Sequence, residues 1–168
     1  ALIKDGKLIC ALAEERFSRV KNHFGYPAKA IEAILSYAGL QKNDIDRVAL
    51  SSKNIKPAYF YVSRNSQLSI KDYLKEQKEY WYPKLYENKT PKYLDIFKDK
   101  IDKENFPYDE SMISDENDWE GMWKARKKFI AADLELDQSQ LKYHDHHKCH
   151  AFYGYMFCPK KDIPLLIY

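Results

Sequence analysis

Apolar residues enter the chain as two short runs, residues 1–4 and 7–13, separated by Asp5-Gly6. A two-residue Asp-Gly connection favours positive φ at both positions, which matches the twist of paired strands, so the pattern predicts a β-hairpin. Residues 14–25 are polar and charged and read as a loop. Pro27 suits the first turn of a helix. Ala30, Ile31, Ile34, Leu35 and Ala38 follow at helical spacing, and Gly39 ends the run. Residues 46–51 (DRVALS) read as a short strand. Hairpin, helix and strand in that order indicate an α/β lobe with a mixed sheet.

The pattern changes over residues 53–107, where Lys, Tyr, Asp and Glu dominate. Amphipathic spacing predicts helices over 70–81 and 92–101, and Pro83, Pro91 and Pro107 are expected to break any longer one. The stretch reads as a helical insertion lying on the lobe. Interleaved Lys and Tyr can imitate a nucleic-acid surface. Acidic residues are mixed in throughout, so a solvated insert with its tyrosine faces packed down is the preferred reading. Such an insert is expected to tolerate change better than either flank. Helical spacing returns over 119–132 with a basic end (Lys124, Arg126, Lys127, Lys128). A short strand over 141–145, a helix over 147–157 ended by Pro159, and a buried strand over 163–168 complete the pattern. The chain has no internal repeat and no Gly-rich phosphate loop.

Composition narrows the class. With 168 residues, 45% hydrophobic and 32% charged, the chain is long and apolar enough for one folded domain. Lys and Arg number 28 against 25 Asp and Glu, a net charge of +3, which is too weak to argue for nucleic acid. Cys10, Cys149 and Cys158 form no disulfide framework and fit reduced thiols in a cytoplasmic protein. The apolar run at 163–168 is far too short to span a membrane. Both ends of the chain look cut, so a piece of a longer protein is expected. No pattern bears on the oligomeric state.

Four of the five histidines lie within seven residues: His144, His146, His147 and His150. His146 and His150 are four apart, which at a helix start puts both rings on one side, where they can share one metal ion. Imidazole suits iron, zinc, copper or nickel, and two ligands need a third, such as a carboxylate, from elsewhere. Histidines that cap the helix or pack in the core are the competing reading. No glutamate follows the first histidine, so this is not the H-E-x-x-H zincin pattern. Cys149 projects from another side of the helix and is read as packing.

The segment HDHHKCHA resembles the DHHxxHA element of NodU-type O-carbamoyltransferases, and AEERFSRVKNHFGYP resembles their EEERFTRxKH…P element. The two occur in the family's order, the first directly after the hairpin, with the proline-led helix, the DIDxVA-like strand, the insertion and the basic helix between them. The resemblance implies an actin-like ATPase fold built on ribonuclease-H-like lobes, of which residues 1–168 would be the N-terminal portion, with the insertion at about 53–126. It implies kinship with the enzymes that make threonylcarbamoyladenosine in transfer RNA. It also implies activation of carbamoyl phosphate by ATP to a carbamoyl-adenylate, and transfer of the carbamoyl group to the hydroxyl of a small-molecule acceptor. The family's HxxxH pair binds a divalent metal, taken to be Fe2+, and matches His146 and His150. The basic residue after EERF contacts carbamoyl phosphate and matches Lys21. The family's Lys and His are adjacent, whereas Asn22 separates Lys21 from His23 here, so His23 is the rival for that contact. His147 could donate a hydrogen bond or a proton nearby. Glu14, Glu15, Arg16 and Arg19 are expected to hold the loop through local ion pairs, with Phe17 packed inward as its anchor. The bulky Phe152, Tyr153 and Tyr155 after the histidines depart from the family's small residues. They leave a second reading open, a non-catalytic lobe of the same fold acting as a binding or structural module.

Overall fold

The computed structural model describes residues 1–52, 55–62 and 68–159. Strands β1 (Leu2–Lys4) and β2 (Lys7–Cys10) pair antiparallel. Asp5 and Gly6 take φ of 51° and 72°, the left-handed values that this hairpin turn needs. The following polar stretch is not loop throughout, because Glu15–Ser18 forms one helical turn, α1, closed by Arg19 at φ 61°. Helix α2 (Ala28–Ala38) buries Ala30, Ile34 and Leu35 and ends on a left-handed Gly39. Strand β3 (Val48–Ser51) pairs parallel with β4 (Leu141–His144), Val48 opposite Leu141 and Ser51 opposite His144. Among the described residues the hairpin and this parallel pair are separate two-stranded sheets, so the fold is mixed α/β without the single mixed sheet expected. The chain leaves β2 through a charged turn directly into α1 and α2, and among the described residues β2 gains no second neighbour. The strand expected at 163–168 lies outside the described residues.

The central segment departs further from expectation. Helix α3 spans Pro57–Tyr61 and α4 spans Ile70–Lys75. A π-helical stretch, Glu76–Trp81, carries the run into α5 (Tyr82–Tyr86). Pro83 therefore sits inside a continuous helical run instead of ending one. The Tyr82 N–H reaches the Gln77 carbonyl, one residue further back than in an α-helix, and this wider turn admits a residue with no N–H of its own. The helix expected over 92–101 shrinks to α6 (Tyr93–Ile96) and a 3-10 turn at Lys98–Lys100. Phe97 leaves helical geometry between them, which sends both Tyr93 and Phe97 into the core.

Helix α7 (Trp119–Asp133) is the spine between two apolar clusters. Its Met122 and Ala125 close an aromatic cluster of Tyr61, Tyr80, Tyr93, Phe97, Phe106 and Tyr108. Its Ile130, Ala131 and Leu134 join Leu141 of β4, with Ile31, Val48 and Leu50 packed against them. Phe129 touches both clusters. The basic end of α7 is partnered within the chain: Arg126 donates to the Ser52 carbonyl just after β3 (3.2 Å), and Lys128 forms an exposed pair with Asp109 (3.1 Å). Each buried aromatic contributes roughly 1.5–3 kcal/mol, so the larger store of packing energy lies in and beside the supposed insertion.

Tyr26 links the clusters. Its hydroxyl donates to Asp133 Oδ2 (2.5 Å), its ring meets Phe129 edge-on at 5.0 Å, and its N–H donates to the Asn105 carbonyl (2.9 Å). Burial, then the hydrogen bond to the Asp133 carboxylate, raises its phenol well above the ordinary range. Tyr61 is raised as well, by burial first and the Glu110 charge second. A raised folded-state pKa holds its stabilisation below the unfolded phenol range and loses it as pH climbs towards the folded value. Stability should therefore fall with rising pH from about pH 10, where unfolded tyrosines begin to ionise. Tyr26→Phe should cost about 1–2 kcal/mol at neutral pH in urea unfolding and show a shallower alkaline loss. An unchanged alkaline slope would remove Tyr26 from this account.

Candidate metal and substrate-binding site

Strand β4 ends at His144, Asp145 follows, and helix α8 (His146–Phe157) begins at once. Asp145 is the N-cap, and its side chain accepts the Lys148 N–H at 2.9 Å. Asp is among the favoured residues for that position, because its carboxylate satisfies an orphan amide and faces the positive helix end. The Lys148 hydrogen bond holds the Asp145 carboxyl below the usual carboxylate range. The cap sets the phase of the first turns and so aims the histidines.

His146 Nε2 and His150 Nε2 lie 3.0 Å apart, with the rings perpendicular and both side chains exposed. Two nitrogens each about 2.1 Å from one ion are separated by that much when they subtend about a right angle. The pair therefore fits two cis positions of a divalent metal, and a single shared proton is the other way to satisfy it. Among the described residues no third His, Cys, Asp or Glu completes a metal-binding group, so the pair is at most half of a site. The His147 ring meets that of His146 at 5.7 Å and is exposed. Cys149 is exposed too, not packed as expected.

The loop after the hairpin is held differently from the ion-pair scheme. Glu14 Oε2 accepts the Ala30 N–H (2.7 Å) in the first turn of α2, and Glu15 Oε2 accepts the Asn22 N–H (2.9 Å). Both carboxylates are spent on backbone donors rather than on the neighbouring arginines. Glu14 caps α2 from 16 residues away, which no local sequence signal announces. Phe17 is 38% exposed and is not the anchor, whereas Phe24 packs against the aromatic cluster. Asn22 takes φ 56°, a left-handed value that Asn adopts more readily than most residues. This turn leaves Lys21 exposed at the surface and folds His23 inward, with its Nε2 buried and unpartnered among the described residues. The structure brings His146 and His150 together, and Lys21 and His23 share one loop. Among the described residues, no hydrogen bond or ion pair joins that loop to the histidines.

The carbamoyltransferase N-terminus family matches residues 1–165, nearly the whole chain. The chain belongs to this carbamoyltransferase family. Nodulation protein NolNO of Sinorhizobium fredii is 44% identical over 48 residues, covering 29% of this chain and 7% of that protein. An uncharacterized 19.2 kDa protein of Rhizobium etli is 43% identical over 47 residues, 28% of each chain. An uncharacterized protein of Synechocystis is 36% identical over 53 residues, 32% of this chain and 9% of that protein. The matched stretches thus span less than a third of each of these relatives, and no solved structure matches significantly. Among the described residues no helix is long and apolar enough to cross a membrane.

Within this family match, the strand-to-helix junction at Asp145 fixes the first turn of α8. Asp145→Ala should speed amide hydrogen exchange at Lys148 without affecting α7. With its folded pKa depressed, the cap acts above the ordinary Asp range and fails as pH falls through the lowered value. Exchange in the first turn of α8 should accordingly gain an acid-induced component that Asp145→Ala lacks. Equal profiles in the two proteins would show that the cap does not control the turn.

Proposed function

We propose that this chain is the N-terminal part of a cytoplasmic, ATP-dependent O-carbamoyltransferase with an actin-like, ribonuclease-H-like fold. It would transfer a carbamoyl group to a hydroxyl of a small-molecule acceptor. The observation that carries this reading is the His146–His150 pair, converged to 3.0 Å on a capped helix within a carbamoyltransferase match over residues 1–165.

The reaction balances as follows. Carbamoyl phosphate and water give phosphate and carbamate; a carbamate oxygen attacks the α-phosphorus of ATP and pyrophosphate leaves. The acceptor hydroxyl then attacks the carbamoyl carbon, loses its proton, and AMP leaves. Both early steps gather negative charge, and fixed positive charge is what stabilises it. A divalent metal, Fe2+ in this reading, would be held by His146 and His150 together with a carboxylate not among the described residues, and would supply Lewis-acid charge to the substrate oxygens. Lys21, exposed and in a turn fixed by Glu15, binds the phosphate. His23 offers a buried nitrogen still lacking a partner, which a phosphate oxygen entering the loop would satisfy. His147 stands beside the pair, where it donates a hydrogen bond or a proton to substrate.

Pyrophosphate release from ATP that depends on carbamoyl phosphate, measured on the full-length protein, tests the reading directly; none at all sinks it. Replacing both His146 and His150 by Ala should strip the bound divalent metal, as read by elemental analysis. Metal content equal to wild type refutes the ligand assignment.

Lys21→Ala should raise KM for carbamoyl phosphate about ten- to a hundred-fold, the loss of one charge-assisted hydrogen bond of roughly 1.5–3 kcal/mol, with KM for ATP unchanged. If His23→Ala produces that phenotype and Lys21→Ala does not, the phosphate ligand is His23.

A further inference from the structure

The central segment meets the substrate loop at the turn 102–106, and the contact is tight. A Cβ on Gly25 would lie 2.7 Å from the Asn105 carbonyl oxygen and 2.9 Å from Asn105 Cβ, closer than real side chains come. Asn105 cannot retreat cheaply. Its N–H and Nδ2 donate to the two oxygens of Asp102 (3.0 and 2.8 Å), and the Phe106 N–H donates to the Asp102 carbonyl (3.2 Å). On either side of Gly25 the loop is pinned to the same turn. The Tyr26 N–H bonds to the Asn105 carbonyl at 2.9 Å, and Phe24 meets the buried Phe106 ring edge-on at 5.9 Å.

We propose that the turn at 102–106 is a positioning brace for the carbamoyl-phosphate loop, with Gly25 and Asn105 as its contact point and Asp102 as its fastener. The inference rests on the proposed role of Lys21 and His23. At its other end the loop is held by Glu15 through Asn22, and by the His23 N–H on the Val20 carbonyl (3.1 Å). His23 thus lies between the Asn22 anchor and the brace, with Lys21 directly before that anchor. A shift of the brace acts first on His23, because no slack residue lies between His23 and Phe24, and reaches Lys21 through the Asn22 turn. Misplacing a binding group by about 1 Å can cost two orders of magnitude in rate, so a few tenths of an ångström should be visible in kinetics. The central segment then does two jobs, packing its aromatic cluster and fixing the loop that precedes α2.

The test uses the full-length protein with Gly25→Ala, Asp102→Ala and the milder Asp102→Asn, with carbamoyl phosphate and ATP as probes. Gly25→Ala and Asp102→Ala should each raise KM for carbamoyl phosphate about tenfold. KM for ATP should hold, and amide exchange at Tyr26 should accelerate. Asp102→Asn, which keeps the size and one acceptor oxygen, should recover most of the wild-type KM. Purely structural contacts would lower the melting temperature and leave the KM for carbamoyl phosphate where it was; that result, with Tyr26 exchange accelerated, overturns the brace. If Gly25→Ala does not fold, the two Asp102 variants decide alone. A wild type that releases no pyrophosphate would defeat the proposed function instead. The brace would then be judged by exchange at residues 21–23, where acceleration in Asp102→Ala supports it and an unchanged rate overturns it.

Discussion

Tyr26, packed on Phe129, ties the two clusters together at one corner. Its three bonds run in three directions: the hydroxyl to the C-terminal turn of α7, the ring to Phe129, and the amide to Asn105 in the central segment. None is strong alone, since a hydrogen bond contributes about 1 kcal/mol net. Their value is geometric, because α7 is shared by both clusters and cannot satisfy them independently. Lys42 reinforces the same corner by donating to the Asp133 carbonyl at 2.5 Å, which fixes the last turn of α7 against the segment leading into β3.

The candidate metal ligands depend on that corner only indirectly. β4 lies against β3 with four paired positions, and α7 covers the pair through Ile130, Leu134 and the Leu141 contact. His144 is the last paired residue, and Asp145 turns the chain into α8 two bonds later. The histidine pair is thus mounted on a strand end rather than on a free loop, the sort of support that a geometrically demanding ligand set requires. By contrast, α8 itself leaves Phe152, Tyr153, Met156 and Phe157 largely exposed, and its hold comes from its first turn.

Local rules recovered the elements whose signals are local. The Asp-Gly hairpin forms where expected, its second strand ending three residues early, and α2 with its left-handed Gly39, α7, β4 and the histidine-bearing helix fall within one or two residues of their expected bounds. The His146–His150 convergence follows from helical spacing alone. What stayed hidden involved partners distant in sequence or a change of helical pitch. Phe17 and Phe24 are equally apolar on paper, and the position of Phe106 decides which of them packs against the core. Glu14 looks like one more charge in a charged loop until α2 folds back onto it. Pro83 looks like a break until the π-helical turn before it removes the clash.

The central segment shows why composition misleads at this scale. Its lysines look like a solvated face, yet Lys84 faces Glu116 at 3.1 Å, Lys100 faces Asp72 at 3.4 Å and Lys103 faces Glu110 at 3.1 Å. Exposed pairs of this kind contribute little energy, but they cancel the charge that would otherwise read as a polyanion surface. What remains of the segment is its tyrosines, and these do divide by position. Tyr80 is buried with its hydroxyl bonded to Glu116 and to Lys84, and Tyr93 is buried with its hydroxyl on Glu76, while Tyr73, Tyr82 and Tyr86 stay outside. Tyrosine can serve in such a core because its ring packs like Phe while its hydroxyl finds a charged partner at the rim. An alternation of Lys, Glu and Tyr is therefore not a surface composition. It is what a small aromatic core looks like when its polar tips must be paired at the boundary, and the same boundary supplies Asp102 and Asn105 to the loop that carries Lys21.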